Sequence, residues 1–463
     1  ITIPTTGVNL FAQAKKIVGQ TNDGQPIYGP PIISQFSNMQ NVIGGSGNDQ
    51  LWGNNKDNLL VGGAGDDQLY GRDGEDILEG GADKDFLSGG FDMAQIEAID
   101  PTVLISIFGD AVLEAITKGT FDKALAGDQD TASYADAQSS VTVDLGSISA
   151  QQTGGAGQDT LVGIQNLIGS DFNDILRGNL WGNTLSGGAG NDKLYGMEGS
   201  DVLIGGAGDD LLDGGEFISG STLLEHDAAS YAEVEVVDND PNPQTGVTVT
   251  LGVVDANGNP LAQNTVRAGS DTLIGMEELI GSDFKDILRG DQYDNILRGG
   301  KGDDLLEGRA GSDRLEGDEG SDTVTYANDL GDVSQGDYSV VADLSSGFAT
   351  DGSDATDILQ EVENLIGSPL RDHLIGNSAD NILDGGGGMD LLEGKTGSDR
   401  YLFVSNWNGV SIVEEADSGS NNKAENEHSN VKDILDFSSL NQNLTFKIHG
   451  DGTASVEAAG GSL

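Results

Sequence analysis

The chain has 463 residues, 77 of them acidic and 22 basic, for a formal net charge of −55. That excess opposes any compact state unless cations offset it, and it argues against nucleic acid as a partner, because phosphate binding needs a basic patch. With 36% apolar residues, 5% aromatics, 71 Gly and no Cys, one large conventional core is not expected, and disulfides and thiolate metal sites are excluded.

In chain order, residues 1–43 form an N-terminal segment. Its start, ITIPTTGVNL, has neither the basic n-region nor the apolar core of a secretion signal, so the sequence reads as a mature chain or a piece of a longer one. From there the sequence falls into rows of nine that open on Gly. The first array spans 44–90, with rows at Gly44, Gly53, Gly62, Gly71 and Gly80. Residues 91–168 follow as a helical insert and β interlude. Asp100 as N-cap, Pro101 at the first helical position and Gly119 just past the end predict one short helix over 101–118. The apolar stretch from Pro101 to Ile116 is broken by Gly109, Asp110 and Glu114, so no transmembrane segment is expected.

The second array, 169–215, has rows at Gly169, Gly178, Gly187, Gly196 and Gly205. After a β interlude over 216–280, a third array spans 281–325 with rows at Gly281, Gly290, Gly299, Gly308 and Gly317. A further interlude, 326–366, leads to a fourth array over 367–402, with rows at Gly367, Gly376, Gly385 and Gly394. Residues 403–463 read as a β-rich closing region, in which 416–430 is polar enough for a loop. The interludes share a Tyr (Tyr134, Tyr231, Tyr326) followed by an alternating β-branched run, which predicts strands flanking the arrays. These tyrosines are read as core or hydrogen-bonding residues rather than as a site.

Each array opens alike, with NVIGGSGNDQL, NLIGSDFNDIL, ELIGSDFKDIL or NLIGSPLRDHL, and the last three lack the second Gly. The second row of each carries Asn at position six: Asn58, Asn183, Asn295 and Asn381. Such rows suit the ends of a stack, where a repeat has one neighbour missing.

A full row such as GGAGNDKLY, residues 187–195, joins a six-residue turn to a three-residue strand. The glycines allow positive φ, and Leu194 points opposite to its strand neighbours. Two rows complete one coil, position-eight leucines fill a thin interior, and like turns stack about 4.8 Å apart. Stacked carboxylates at that spacing repel unless a cation lies between them. Oxygen donors in flexible geometry suit Ca²⁺ better than Mg²⁺, and without Cys and with few His they do not suit Zn²⁺. Several Ca²⁺ ions are therefore expected, with folding and binding as one process.

These rows resemble the RTX (repeats-in-toxin) nonapeptide G-G-x-G-x-D-x-U-x. The resemblance implies parallel β-rolls with Ca²⁺ held between turns; together with the β-rich inserts and the one helical insertion read above, an all-β fold of tandem β-rolls is expected. The motif's Asp falls on Asp67, Asp76 and Asp85; Asp192, Asp201 and Asp210; Asp304, Asp313 and Asp322; and Asp390 and Asp399. In the opening rows it falls on Asp49, Asp174, Asp286 and Asp372. The missing second Gly weakens the last three of these as complete sites, and the Asn rows are expected to bind poorly.

The RTX resemblance implies secretion and extracellular folding on Ca²⁺, but RTX rolls accompany many functions. No H-E-x-x-H or G-x-S-x-G motif is present, and His226, His373, His428 and His449 are isolated, so no catalysis is expected. The leading expectation is a cell-surface structural protein of surface-layer, adhesin or fibre type, with self-association or other surface components as partners. One alternative is the secretion and folding region of a larger RTX enzyme or toxin. The other is a glycan-binding accessory module that uses Trp52 and Tyr70, both at row position nine, although shielding of the roll by an insert is the simpler explanation of that pair.

Overall fold

A computed structural model describes residues 10–20, 26–36, 40–90, 129–215, 226–234, 245–329, 339–351, 355–403, 410–414, 433–440, 444–448 and 454–458. The helix expected over 101–118 and the loop over 416–430 lie outside them. Every regular element among the described residues is a strand, and nearly all pairings are parallel, as in a β-roll. The chain divides into two compact units, residues 1–230 with 268–276, and residues 231–267 with 277–463.

In the first unit, one ladder runs through Asn41–Ile43, Leu59–Ala64, Ile77–Ala82, Thr131–Ser133, Asn166–Ile168, Thr184–Ala189, Val202–Ala207 and Ala228–Ser230. The opposite wall has two ladders. Gln50–Trp52, Gln68–Tyr70, Phe86–Ser88 and Gly157–Val162 form one, and Thr142–Asp144, Ile175–Arg177, Lys193–Tyr195, Leu211–Asp213 and Ser270–Ile274 form the other. Pairing thus passes from array into interlude and on into the next array. An antiparallel hairpin, Leu10–Gln20 with Pro26–Phe36, precedes the roll.

The second unit repeats the scheme. Thr245–Thr250, Lys285–Arg289, Leu305–Glu307, Thr323–Thr325, Asn364–Ile366, Ile382–Asp384, Arg400–Leu402 and Ile434–Asp436 form one continuous parallel wall. The facing wall holds Glu278–Ile280, Ile296–Gly302, Arg314–Gly320 and Thr356–Gln360, then Val341–Asp343, His373–Ile375, Leu391–Lys395 and Ser411–Glu414. Phe348–Thr350 joins these two runs through antiparallel pairing.

The core is the spine that position eight dictates. Leu51, Leu69 and Leu87 line one wall and Leu60 and Leu78 the other, all fully buried, and Leu185, Leu194, Leu203 and Leu212 do the same further on. Partners are residues at the same row position two rows apart, such as Leu194 with Leu212. Each such leucine contributes roughly 1.5–3 kcal/mol of burial. In the second unit Tyr401 takes the same position, fully buried.

Candidate cation-binding turns

Each turn begins on a Gly because its own Asp fills the space beside it. A Cβ on Gly205 would lie 2.5 Å from Asp210 Oδ2, and one on Gly80 would lie 2.6 Å from Asp85 Oδ2. The position-six carboxylates, all buried except half-buried Asp49, are aligned in files by a repeated bond. The N–H of Asp49 donates to Asp67 Oδ1 at 2.7 Å, and that of Asp67 to Asp85 Oδ1 at 2.8 Å. Asp174, Asp192 and Asp210 form a second such file, and Asp286, Asp304 and Asp322 a third. Every Oδ1 in these files but that of Asp49, which heads the first, is thereby satisfied by a residue one coil away.

The second oxygen, Oδ2, has two fates, and the backbone at row position two sorts them. In the opening and Asn rows the position-two N–H turns inward and donates to the position-six side chain. This holds for Gly45 to Asp49 (2.8 Å), Ser368 to Asp372 (2.7 Å), and Ser170 and Ser282 to Asp174 and Asp286. The three serine hydroxyls add bonds to the same carboxylates, such as Ser170 Oγ at 3.0 Å from Asp174 Oδ2. Asn54, Asn179, Asp291 and Asn377 close their turns onto Asn58, Asn183, Asn295 and Asn381 in the same way. These turns are self-capped.

In every other row position two has a left-handed backbone. Gly63, Gly81, Gly188, Gly206, Gly300 and Gly386 adopt it readily. Arg72, Met197, Arg309, Asp318 and Lys395 adopt it too, with φ between 64° and 84°, at a cost of about 1 kcal/mol each. The N–H then does not reach the carboxylate. In these rows Oδ2 of Asp67, Asp85, Asp192, Asp210, Asp304, Asp313, Asp322, Asp390 and Asp399 is buried without a hydrogen-bond partner. Asp76 and Asp201 occupy the same open turn type, pressed against Gly71 and Gly196.

Burial, reinforced by facing carboxylates, pushes these groups up. Asp85, Asp192, Asp313, Asp322 and Asp390 rise to about 7, Asp304 to about 8 and Asp210 to about 6. At neutral pH these carboxyls ionise against the cost of desolvation first and the field of neighbouring carboxylates second.

Beside the bare oxygen stands a backbone carbonyl. A Cβ on Gly62 would meet both Asp67 Oδ2 and, at 2.6 Å, the carbonyl of Gly80; one on Gly187 would meet Asp192 Oδ2 and, at 2.6 Å, the carbonyl of Gly205. Carboxylate and carbonyl oxygens in one cradle are the donor set of a hard divalent cation such as Ca²⁺. Among the described residues no three acidic or His side chains converge on one point, so most of a cation's shell would come from the backbone.

The sequence-derived positions therefore separate. Asp67, Asp76, Asp85, Asp192, Asp201, Asp210, Asp304, Asp313, Asp322, Asp390 and Asp399 stand in open turns, whereas Asp49, Asp174, Asp286 and Asp372 stand in self-capped ones. Sequence reasoning missed further members of the files. The N–H groups of Asp76, Asp85, Asp201, Asp210, Asp313 and Asp399 donate to Asp130, Asp159, Asp227, Asp271, Asp357 and Asp433, and that of Asp322 to Glu363. One signal was present. Residues 154–162, GGAGQDTLV, are a full motif row, hidden because the six-residue row GIQNLI at 163–168 shifts the phase.

The fold and its open turns define a parallel β-roll built for hard cations. The sequence profile of the family described as RTX calcium-binding nonapeptide repeat (4 copies) matches residues 43–78, 61–92, 168–202, 186–218, 280–315, 289–324 and 366–401. The four arrays are thus RTX repeats, and the chain is a calcium-binding repeat protein. Comparison with curated proteins gives no significant match. Among the described residues no helix is long and apolar enough to cross a membrane.

Proposed function

We propose that the chain is an extracellular structural or adhesive protein, of surface-layer, adhesin or fibre type, that is secreted unfolded, folds on meeting Ca²⁺ and performs no catalysis of its own. The observation that carries this reading is the set of buried carboxylate oxygens without partners in the open turns. Aligned and desolvated, they disfavour the compact state where calcium is scarce and favour it where calcium is millimolar. The motif acids are aligned by backbone N–H groups, which is a scaffold's use of them and supports this reading. Fractionation of the producing cells tests the reading: the chain is expected at the cell surface or in the medium. Recovery from the cytosol, or a catalytic or pore-forming segment in the same reading frame, would overturn it.

A second reading, a glycan-binding accessory module, has one observation in its favour. Trp52, Tyr70 and Phe86 form an outward ladder, with ring centroids 5.4 and 5.6 Å apart, beside the hydrogen-bonded pair Gln50 and Gln68. Aromatic faces next to amide groups suit sugar rings. Glycan-array binding lost in Trp52→Ala would support it.

A further inference from the structure

Each interlude holds one turn in which the Gly–Asp pair of a row is exchanged for a Tyr–Val pair. Tyr134 stands where a row-opening Gly belongs: its N–H donates to the Ile168 carbonyl at 2.8 Å, as that of Gly169 does to Ser186. Val141 stands where the Asp belongs, its N–H donating to Asp174 Oδ1 at 2.7 Å, just as the N–H of Asp174 donates to Asp192 Oδ1. Tyr326 and Val340 repeat both bonds, to the Ile366 carbonyl at 2.8 Å and to Asp372 Oδ1 at 3.1 Å. Tyr231 and Val247 do so again, to the Ile280 carbonyl and to Asp286 Oδ1.

The exchange removes one carboxylate and places a buried phenol in the file. Tyr134 and Tyr326 are each 3% exposed. The Tyr326 hydroxyl donates to Asp357 Oδ2 at 3.0 Å. In the first unit the Tyr134 hydroxyl is buried without a hydrogen-bond partner, and it is Thr153 Oγ1 that donates to Asp159 Oδ2, at 2.8 Å. Asp159 and Asp357 still take the N–H of the preceding Asp on Oδ1, each at 3.0 Å. They are therefore ordinary members of their files on one side. On the other side they already hold hydroxyl donors, on the oxygen that stays bare in Asp85 and Asp313.

We propose that Tyr134 and Tyr326 are plugs that end the cation files. Beside each ring a neutral hydroxyl donor, Thr153 Oγ1 in the first unit and the Tyr326 hydroxyl itself in the second, sits on the last carboxylate in place of a cation, so the Asp159 and Asp357 turns hold without calcium and the roll loads its ions in separate blocks. The proposal rests on the open turns being the cation sites. A hydroxyl satisfies a buried carboxylate oxygen without adding charge, whereas leaving that oxygen bare carries a desolvation penalty. The bulk of the ring fills the cradle that a Gly would leave open.

The test counts bound calcium in the full chain by equilibrium dialysis and atomic absorption. Asn is a safe replacement, because Asn58, Asn183, Asn295 and Asn381 already occupy this position in the fold. Asp159→Asn with Asp357→Asn is expected to leave the ion count unchanged, while Asp85→Asn with Asp313→Asn lowers it by two. A lower count in the first double variant overturns the plug. An unchanged count in the second overturns the open-turn reading, and the plug with it, whereas the first result alone leaves that reading standing. Tyr326→Phe keeps the ring and removes the donor, and is expected to lower the urea midpoint at saturating calcium; an unchanged midpoint shows that the hydroxyl satisfies nothing and also overturns the plug.

Discussion

The turns Gly169–Asp174 and Gly187–Asp192 lie one coil apart in the same file, both begin on Gly, and both end on a buried Asp. In the first, Ser170 turns its N–H and its hydroxyl onto the carboxylate. In the second, Gly188 has φ +99°, its N–H does not reach the carboxylate, and Asp192 Oδ2 has no partner. One backbone torsion thus separates a turn that closes on itself from a turn that needs a cation. Rows of the first kind open each array and rows of the second kind follow, so self-sufficient coils stand at the array starts and cation-dependent ones beyond them.

The largest effect expected from this contrast is calcium dependence of the whole fold. In EGTA the far-ultraviolet circular dichroism of the chain should show little β structure, which should appear on adding Ca²⁺. Equal spectra in both conditions would mean that open turns tolerate bare carboxylates. Next in size is the cost of a side chain at the left-handed position. Gly206→Ala sets a methyl against the Gly188 carbonyl with φ +93°, whereas a Cβ on Gly45 meets only Asp49 Oδ2 at 3.8 Å. Chemical denaturation with calcium present should show a loss of more than about 2 kcal/mol for Gly206→Ala and little for Gly45→Ala.

Neutralising single carboxylates probes the same contrast more finely. Asp192→Asn should remove one ion and, at calcium near a hundred times Kd, about 2.7 kcal/mol of stability. Asp174→Asn should cost less than about 1 kcal/mol with no change in ion count, since the self-capped turn keeps its acceptor. Equal losses would erase the distinction between the two classes.

Acidity should act on the ion-free chain in the sense opposite to ordinary acid denaturation. The open-turn carboxyls of Asp85, Asp192 and Asp390 sit near 7 when folded, above their ordinary value of 3.8. The folded state then binds more protons than the unfolded state between those values, so stability is present below the ordinary value and is lost as pH rises through about 7. In EGTA, lowering pH from 7.5 toward 5 should recover β signal; a further loss would contradict the burial of these groups. The smallest effect belongs to Met197, an exposed side chain with φ 84°. Met197→Gly should stabilise the calcium-loaded chain by up to about 1 kcal/mol in thermal or urea unfolding, by relieving the left-handed strain.

Much of this was legible from particular residues. Gly205 and Leu212 announce a turn and a spine position by local geometry alone, and the nine-residue phase carried them into parallel strands. The serines at 170, 282 and 368 also advertised weaker sites, since a second Gly was missing there. Arg72, Met197, Arg309, Asp318 and Lys395 gave no such signal. Nothing in an Arg or a Met predicts a left-handed backbone, which the turn imposes on them. Asp159 was visible as a motif but out of phase, and Asp130, Asp227 and Asp357 had no full motif around them at all.

What the sequence alone determined is the repeating unit: the glycine corners, the leucine spine and one carboxylate per turn, because each depends only on residues within a row or on the like row one coil away. The tertiary structure decided which carboxylates are left bare and which acids join the files across inserts. Those outcomes depend on how the chain returns from an interlude to stack on a coil 44 residues back, as Asp357 does on Asp313, or 74 back, as Asp159 does on Asp85. Stacking register is a property of the assembled ladder, and no row carries it by itself.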